Sequence, residues 1–534
     1  MPFTVSRWRA SAAAASLLTL IPLAVIALGL LELDAEVWRH LAEHTLPELL
    51  RNTAALLLGV GAGVLLLGVP LAWLTAVHDF PGRRFFSWAL MLPLAMPAYV
   101  MAFSQLGLFD FTGPVQTWLR QAFSSSSWVP DIRSTPGVVL VLSLAFYPYV
   151  YLLARNAFAG MGRRALEVGQ SLGLSPLAGF FKVALPMARP WIAGGVGLAL
   201  METLADFGTV AIFNFDAFTS AIYKAWFSLF SLPAAKQLAS LLVLLVFVLL
   251  WLEQRARGQR GYVQAGRAAP LPRTRLVGTR GWLACVFCGL VLLLAFVLPF
   301  GQILVWAAGH LASDLDADLL DSLKSSLSLA AMAALLVPAI ALCLVFAGRR
   351  DPGSRPWIRL ATLGYAVPGT VLAVGVFAPV AALDNLLLEH FSRWLPEGAS
   401  AVFKGTLLVL MLAYASRFLA VAHSALDAAM QRVSRSQEEA ANSLGVYGGR
   451  LLLRLHLPLL KGGLFTAMLM VFVDAMKEMP ITLMTRPFGW DTLAVRIFNL
   501  TSEGEWQRAA LPSVAIVLAG LLPVLLLSRQ KPGV

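Results

Sequence analysis

The chain of 534 residues is 58% hydrophobic and only 13% charged, with a mean hydropathy of +0.75. This composition excludes an ordinary soluble enzyme or binding domain and indicates an integral membrane protein. The formal net charge of +12 does not call for a nucleic-acid partner, because Lys and Arg concentrate in loops between apolar segments, as they do on the cytoplasmic side of membrane proteins.

Apolar segments of about 20 residues recur along the chain, and each is long enough to cross a bilayer as a helix. A β-barrel would show alternating polarity instead. We therefore predict an all-α integral membrane protein with about twelve transmembrane helices, at 11–33, 52–77, 86–109, 136–158, 191–213, 235–253, 281–309, 326–347, 358–380, 405–425, 462–485 and 510–528. If the N-terminus is cytoplasmic, the basic loops and the C-terminus are cytoplasmic too.

A basic segment, 254–280, separates the first six predicted spans from the last six, and we interpret it as a cytoplasmic linker between a first half, 1–253, and a second half, 281–534. Two similar stretches occupy the same loop of each half. EVGQSLGLSPLAGFFKVALP begins at Glu167, and EAANSLGVYGGRLLLRLHLP begins at Glu439, 272 residues later (439 − 167). We predict an internal duplication whose six-helix halves have the same orientation, an arrangement that usually encloses a central pathway.

The two stretches share one spacing of an acid, a glycine and a Leu-Pro pair. In the loop 159–190 these residues are Glu167, Gly173, Leu185 and Pro186, and in the loop 426–461 they are Glu439, Gly445, Leu457 and Pro458. Apolar residues recur at helical spacing on both sides of each glycine, so we predict two short helices joined by a glycine bend. A cytoplasmic helical hairpin of this kind would suit a groove on a partner protein.

The second stretch resembles the signature loop of the permease subunits of ATP-binding-cassette importers, which reads E-A-A, three residues, G, nine residues, I, one residue, L-P. Glu439, Ala440 and Ala441 match its opening, whereas the first copy keeps only the acid, Glu167. The resemblance implies a fold similar to the type I importer permeases. It also implies that the loop carries a short coupling helix, which contacts an ATPase subunit and transmits its closure to the membrane helices.

Three further stretches, in this order, resemble the fused, two-half ferric-iron permeases: LPLAMPAYVMAFSQLGLFDFTGPVQTWLR (Leu92–Arg120), ETLADFGTVAIFNFDAFTSAIYKAWF (Glu202–Phe227) and KEMPITLMTRPFGWDTLAVRIFNL (Lys477–Leu500). The resemblance implies import of ferric iron across the bacterial inner membrane, with two copies of an ATPase and a periplasmic substrate-binding protein as partners. Thiamine permeases have the same architecture, so thiamine or another small solute is the alternative substrate.

The chain contains no G-x-x-x-x-G-K-[ST] motif, so we predict a transport subunit that is not itself an enzyme. It would bind no cofactor, and ATP with magnesium would be used by the partner ATPase. A gradient-driven secondary transporter would also be duplicated, but it would not require the two matched loops. A membrane-embedded enzyme would require clustered nucleophiles or metal ligands, and the sequence gives no sign of them.

Acidic residues within the apolar spans are the second candidate site, because charges there are costly and usually face a cavity or a partner. The fifth span holds Glu202 and Asp206, and the eleventh holds Asp474 and Glu478, again 272 residues apart. Since four residues separate the members of each pair, we predict that both lie on one helix face. They would line the translocation pathway and set a negative potential for a cation, without forming a stable metal site. Ion pairs with Lys477 or Arg417 are the alternative.

Prolines inside several predicted spans indicate interrupted helices: Pro93, Pro97, Pro368 and Pro480. Cys285 and Cys288 form C-V-F-C inside an apolar span, and we interpret them, like Cys343, as packing residues. The seven histidines are scattered, and we assign no role to any of them, including His456 in the second loop.

Overall fold

The computed structural model describes residues 6–31, 39, 41–123, 131–160, 171, 173–257, 273–391 and 401–529. Within these ranges the chain is almost entirely helical. The extended pairing among the described residues is a short parallel bridge between β1 (His78–Asp79) and β2 (Thr274–Arg275). The all-α fold class is confirmed.

The α-helices of the described residues are, in chain order, α1 (Arg7–Leu28), α2 (Leu46–Val77), α3 (Arg83–Ala89), α4 (Ala98–Phe109), α5 (Pro114–Phe123), α6 (Thr135–Gly160), α7 (Pro176–Gly179), α8 (Leu185–Ala205), α9 (Gly208–Ile212), α10 (Phe218–Tyr223), α11 (Leu232–Arg257), α12 (Thr279–Leu292), α13 (Leu298–Asp314), α14 (Ala317–Arg350), α15 (Arg355–Ala361), α16 (Gly369–Phe391), α17 (Leu407–Met430), α18 (Arg435–Ser443), α19 (Gly449–Leu451), α20 (Leu457–Lys477), α21 (Pro480–Thr485), α22 (Leu493–Ser502) and α23 (Ala510–Arg529).

Short turns of other helical geometry join several of these helices. The π-helical turns are Leu41–Thr45, Phe180–Ala184, Lys224–Ser228, Leu293–Val297 and Leu452–His456, and the 3-10 turns are Leu92–Ala95, Pro352–Ser354 and Thr362–Ala366. Four of these π turns are followed directly by a Leu-Pro pair: Leu46-Pro47, Leu185-Pro186, Leu298-Pro299 and Leu457-Pro458. Proline has no N–H, and its ring clashes with the carbonyl four residues back, so a widened turn just before it lets the helix continue.

Ten helical segments in the described part of the chain are long and apolar enough to cross a membrane. An eleventh is added if the bent pair Arg83–Ala95 and Ala98–Phe123, which meets at 96°, counts as one span. The last predicted span corresponds to α23, of which the stretch Ala510–Pro523 is apolar but shorter than the ten. Every predicted span therefore has a helical counterpart, but by length and composition the count is ten or eleven, slightly below the predicted twelve.

Prolines explain where two of the predicted spans are interrupted. Met96, which precedes Pro97, has a ψ of 122°, and Val367, which precedes Pro368, has a ψ of 130°. A residue before proline is pushed out of helical geometry by the proline ring. The helices α4 and α16 therefore begin afresh after these breaks, as the prolines in the sequence predict.

The described residues form two compact units, and neither is a continuous stretch of chain. The first unit comprises described residues within 1–39, 221–243 and 313–499, and the second those within 40–220, 244–312 and 500–534. Each unit thus takes helices from both predicted sequence halves. The segment 254–280, most of which (258–272) lies outside the described residues, does not separate the compact units.

In the first unit, α1 packs against helices from the far end of the sequence. Its buried residues lie on one face, at Ala12, Ser16, Thr19, Pro22 and Ile26. The Thr19 hydroxyl donates a hydrogen bond of 2.9 Å to the carbonyl of Ala361, and the Trp8 and Phe346 rings meet edge to face at 4.8 Å. The earliest helix of the chain therefore belongs to a core that is otherwise formed mainly by later residues.

In the second unit, α2 approaches α6 closely because small residues line the contact. A Cβ atom on Gly59 would lie 2.8 Å from a methyl carbon of Val139, and one on Gly63 would lie 2.1 Å from the Ser143 hydroxyl oxygen. Two glycines four residues apart let membrane helices pack backbone to backbone, where dispersion contacts replace the missing hydrophobic driving force. This contact leaves no room for a larger side chain at either glycine.

We expect Gly63→Leu to destabilise the second unit, because the added side chain would overlap α6. Overpacking of this kind costs about 1–3 kcal/mol. The apparent melting temperature of the detergent-solubilised protein should fall relative to Gly301→Leu, a control in α13 where no heavy atom lies within 4 Å of the added Cβ. Equal melting temperatures for the two variants would contradict this packing argument.

Candidate functional site

The second loop contains a short exposed helix, α18, that begins with a capping box. The Ser434 hydroxyl accepts a hydrogen bond from the Gln437 N–H at 3.3 Å, and the Gln437 side-chain oxygen accepts one from the Ser434 N–H at 3.1 Å. These bonds satisfy donors that the start of a helix leaves unpaired. Glu439, Ala440 and Ala441 lie within α18, and none of its residues is buried. The helix therefore offers much of its surface to a partner.

A glycine ends α18 and turns the chain. Gly445 has a φ of +78° and donates a hydrogen bond to the Asn442 carbonyl, while the next N–H, from Val446, reaches back to Ala441. This is a Schellman motif, in which the left-handed residue satisfies carbonyls at the helix end. No heavy atom lies within 4 Å of a Cβ added to Gly445. Glycine is required here for its backbone conformation and not for space.

The first loop repeats the turn at the equivalent position. Gly173 has a φ of +82°, and a Cβ added to it would also meet no heavy atom within 4 Å. Two residues on, the Ser175 hydroxyl accepts a hydrogen bond from the Ala178 N–H at 3.3 Å, at the start of α7. Glu167, the acid predicted for this loop, lies outside the described residues, so its role stays a prediction.

Beyond each glycine, the prediction of a second short helix is wrong, because the helix continues into the membrane span. The continuous helices are Leu177–Ala205 and Gly449–Lys477, each of 29 residues and offset by 272. Leu185, Pro186, Leu457 and Pro458 lie inside them, directly after the π turns that accommodate the prolines. Each loop is thus joined to its span by one uninterrupted helix.

The two pairs of membrane acids lie where these long helices end. Asp206 has φ −67° and ψ 122°, and Glu478 has φ −70° and ψ 114°, so the backbone leaves helical geometry at the second acid of each pair. Each long helix therefore ends at the second acid of its pair and does not continue past it, as the predicted spans did. A short helix follows each break, α9 after Asp206 and α21 after Glu478.

The carboxylates at the breaks cap the short helices that follow. Asp206 Oδ1 accepts hydrogen bonds from the N–H groups of Thr209 at 3.0 Å and Val210 at 3.2 Å, and its Oδ2 accepts one from the Thr209 hydroxyl at 3.0 Å. Glu478 Oε1 accepts one from the Ile481 N–H at 3.1 Å. Asp206 and Glu478 thus satisfy helix-start donors that have no partner within the helix itself.

The other two acids lie one turn earlier and are half-buried. Glu202 is in the last turn of α8, where it interacts with Asp206 as a like charge. Asp474 in α20 interacts electrostatically with Lys477, as the sequence suggested. The first pair therefore concentrates negative charge, whereas the second includes an opposing cation.

Arg417, the other proposed partner of these acids, is bonded to backbone carbonyls. Its guanidinium donates hydrogen bonds to the carbonyls of Tyr365 and Val367 and lies over the Tyr365 ring. These carbonyls belong to the break before α16, so Arg417 satisfies a helix end.

The second loop also contains a charged cluster that the sequence did not reveal. Arg349 Nε donates to Glu438 Oε1 at 2.8 Å, and Arg349 Nη2 donates to the Val433 carbonyl at 2.9 Å. His456 Nε2 lies 3.1 Å from the same Glu438 oxygen, and the buried imidazole packs against the Phe346 ring. Burial acts to raise the pKa of Glu438, but the hydrogen bonds from Arg349 and His456 outweigh it, and the net pKa is lowered.

His456 received no role from the sequence because its counterpart in the first loop is Ala184. This difference between His456 and Ala184 was the feature of the local sequence that could have indicated the cluster. In the part of the chain that the structure describes, no group of three His, Cys, Asp or Glu residues is placed to hold a metal ion.

Comparison with known proteins finds similarity to permease components of transport systems. Residues 68–258 match the model described as binding-protein-dependent transport system inner membrane component. The chain is 28% identical over 491 residues to the Fe(3+)-transport system permease protein FbpB 2 of Haemophilus influenzae, which covers 90% of each chain. It is 23% identical over 453 residues to the ferric transport system permease protein FbpB of Actinobacillus pleuropneumoniae, covering 80% of this chain and 63% of that relative. The sulfate transport system permease protein CysT of Escherichia coli is 25% identical over 246 residues, which is 44% of this chain and 85% of that one.

We expect Ser434→Ala to loosen α18, because it removes the side-chain acceptor of the capping box. Loss of such a cap costs about 0.5–2 kcal/mol. Amide hydrogen exchange within 435–443 should accelerate, while Ser443→Ala, which removes a hydroxyl at the other end of α18, should leave it nearly unchanged. Equal exchange rates in the two variants would show that the capping box does not hold the helix.

Proposed function

We propose that this protein belongs to the family of binding-protein-dependent transport system inner membrane components and is the permease subunit of an ATP-driven importer of ferric iron. The assignment of ferric iron as the substrate rests on the similarity to a permease named for Fe(3+), which extends over 90% of both chains. The similarity to the sulfate permease covers 44% of this chain. The protein is a multi-pass inner membrane protein, and its basic loops favour cytoplasmic N- and C-termini.

The charges near the helix breaks support a cationic substrate. Half-buried Glu202 and Asp474 place negative charge where each long helix ends, and a negative potential attracts cations and repels oxyanions such as sulfate. Lys477 offsets part of the charge of Asp474. A permease has to release its substrate, so we propose that these acids attract the ion in passing. Thiamine or another small solute is the alternative in the same architecture.

Exposed apolar side chains on the loops support docking of an ATPase. The side chains concerned are Leu177 (69% exposed) and Phe181 (56%) in the first loop, and Leu444 (83%), Tyr447 (61%) and Leu453 (63%) in the second. Large apolar residues grouped on a loop with polar neighbours are typical of a protein interface. We propose that the two loops bind two copies of an ATPase, which uses ATP and magnesium. A periplasmic substrate-binding protein, from which the family takes its name, would deliver the iron.

The long helices connect each loop, where an ATPase would dock, to a helix break within the membrane part of the protein. A partner that displaces either loop moves one end of a continuous helix, Leu177–Ala205 or Gly449–Lys477, whose other end is the break capped by Asp206 or Glu478. Movement at the loop would therefore reach the break without an intervening flexible joint.

We expect the double variant Gly173→Val, Gly445→Val to insert normally but to uncouple ATP hydrolysis from transport. Valine is strained at the positive φ of both positions, so the two turns would be displaced. The measurement is iron uptake per ATP hydrolysed in proteoliposomes that contain the ATPase and the binding protein.

The matched control is Gly179→Val, Gly462→Val. These glycines lie in the same two long helices with no heavy atom within 4 Å of an added Cβ, and neither has a positive φ. Full coupling in the turn variant, or an equal loss in the control, would overturn the role of the glycine turns.

We expect Glu202→Gln, Asp474→Asn to lower ferric-iron uptake severalfold while assembly with the ATPase is unchanged, because the negative potential near the breaks is removed. Asp206 and Glu478 are left intact, since their caps are needed for the fold. The control is Asp427→Asn in α17, a partly exposed acid bonded to Gln431. Unaltered iron flux would refute the pathway role, and accumulation of thiamine in place of iron by the intact system would refute the substrate.

A further inference from the structure

The cluster of Arg349, Glu438 and His456 sets the second loop apart from the first. The positions 272 residues earlier hold Val77, Leu166 and Ala184. None of these apolar side chains is able to form a charged hydrogen bond. The two loops share their glycine turns and long helices, but the repeat does not include the cluster.

The cluster matters because it attaches α18 to neighbouring helices. The helix has nine residues, none of them buried, and isolated helices shorter than about 12–15 residues are marginal in water. Its capping box stabilises the helix internally and does not attach it to neighbouring helices. Attachment at the start of α18 comes from Arg349, which binds the Val433 carbonyl just before the helix and the Glu438 carboxylate within it.

The bonds to Glu438 are better protected than an ordinary surface ion pair. The side chains of Arg349 and Glu438 are 23% and 14% exposed, and that of His456 is fully buried. Partly buried charges are screened less by salt than exposed ones. Arg349 donates through two nitrogens in different directions, which fixes geometry as well as distance.

Glu438 connects three separate helical elements through one oxygen. Its Oε1 accepts from Arg349 at the end of α14 and lies within hydrogen-bond distance of His456, in the π turn near the start of the long helix Gly449–Lys477. That helix ends at the break capped by Glu478. A displacement of α18 is therefore passed directly to the helix that reaches the second pair of acids.

We propose that Glu438 is a positioning residue that locks α18 to α14 and to the helix Gly449–Lys477, so that the second loop transmits force as a rigid unit. The first loop has apolar residues at the three equivalent positions of its sequence. This inference rests on the proposed function as an ATP-driven permease. It makes the contributions of the two loops to coupling unequal, although their turns are matched. Glu438 acts through these contacts and need not touch the ATPase.

The test is a charge exchange between Glu438 and Arg349, read as iron transported per ATP hydrolysed in proteoliposomes. Glu438→Arg and Arg349→Glu should each lower this ratio by about threefold or more, the scale of coupling changes caused by residues remote from a ligand. The double exchange should recover part of the ratio, because it restores the ion pair with reversed polarity but not the bonds to the Val433 carbonyl and to His456. The apparent melting temperature and the affinity for the ATPase should stay close to those of the parent protein.

The control pair is Glu505 and Arg508, an exposed ion pair of 2.6 Å, whose reversal should leave the ratio unchanged. If the charge reversals fail to insert, Glu438→Gln and Arg349→Lys replace them, and both should lower the ratio in folded protein. Normal coupling in the single variants, or a double exchange no better than either single one, would overturn the inference. Absence of ATP-driven iron uptake by the parent protein would instead refute the proposed function.

Discussion

Helices that end within the apolar part of this protein leave backbone groups that lipid cannot satisfy, and at several ends in the described residues a side chain supplies the missing partner. Asp206 and Glu478 supply acceptors to helix starts, and Arg417 supplies donors to the carbonyls before α16. In the first sequence half, near the break before Pro97, the Tyr147 hydroxyl donates a hydrogen bond of 2.9 Å to the Leu90 carbonyl. The broken spans are stable because each break has a polar partner of the right kind.

This requirement changes how the membrane charges are interpreted. Four acids in two repeated pairs look like a single functional set, yet the structure divides them into two kinds. Asp206 and Glu478 have their carboxylates engaged by backbone N–H groups, whereas Glu202 and Asp474 lie in the helical turn before the break. We assign the proposed electrostatic role to Glu202 and Asp474 because Asp206 and Glu478 also hold the helices that follow the breaks.

Local pattern in the sequence was enough to predict the features that depend on neighbouring residues. Apolar segments predicted the membrane spans, and Pro97 and Pro368 predicted where two of them are interrupted. The glycines of the two loops predicted turns, and both have a positive φ. The ends of α8 and α20 were missed because a period of four residues between acids is equally compatible with a continuing helix. The bond between Arg349 and Glu438 joins residues 89 positions apart, and no local pattern specifies such a contact. The same holds for α1, whose sequence is apolar on most sides and specifies neither its buried face nor what covers it.

The interleaved composition of the first compact unit affects how the chain acquires its structure during synthesis. Helix α1 leaves the ribosome first, but Ala361 and Phe346, which it contacts, are made more than 300 residues later. Until then its buried face has to remain in lipid or against a temporary neighbour, a long-range closure of the kind that slows folding. A gene divided at the basic segment 254–280 would yield two polypeptides, neither of which contains a complete compact unit, so each product would depend on the other being made in the same membrane.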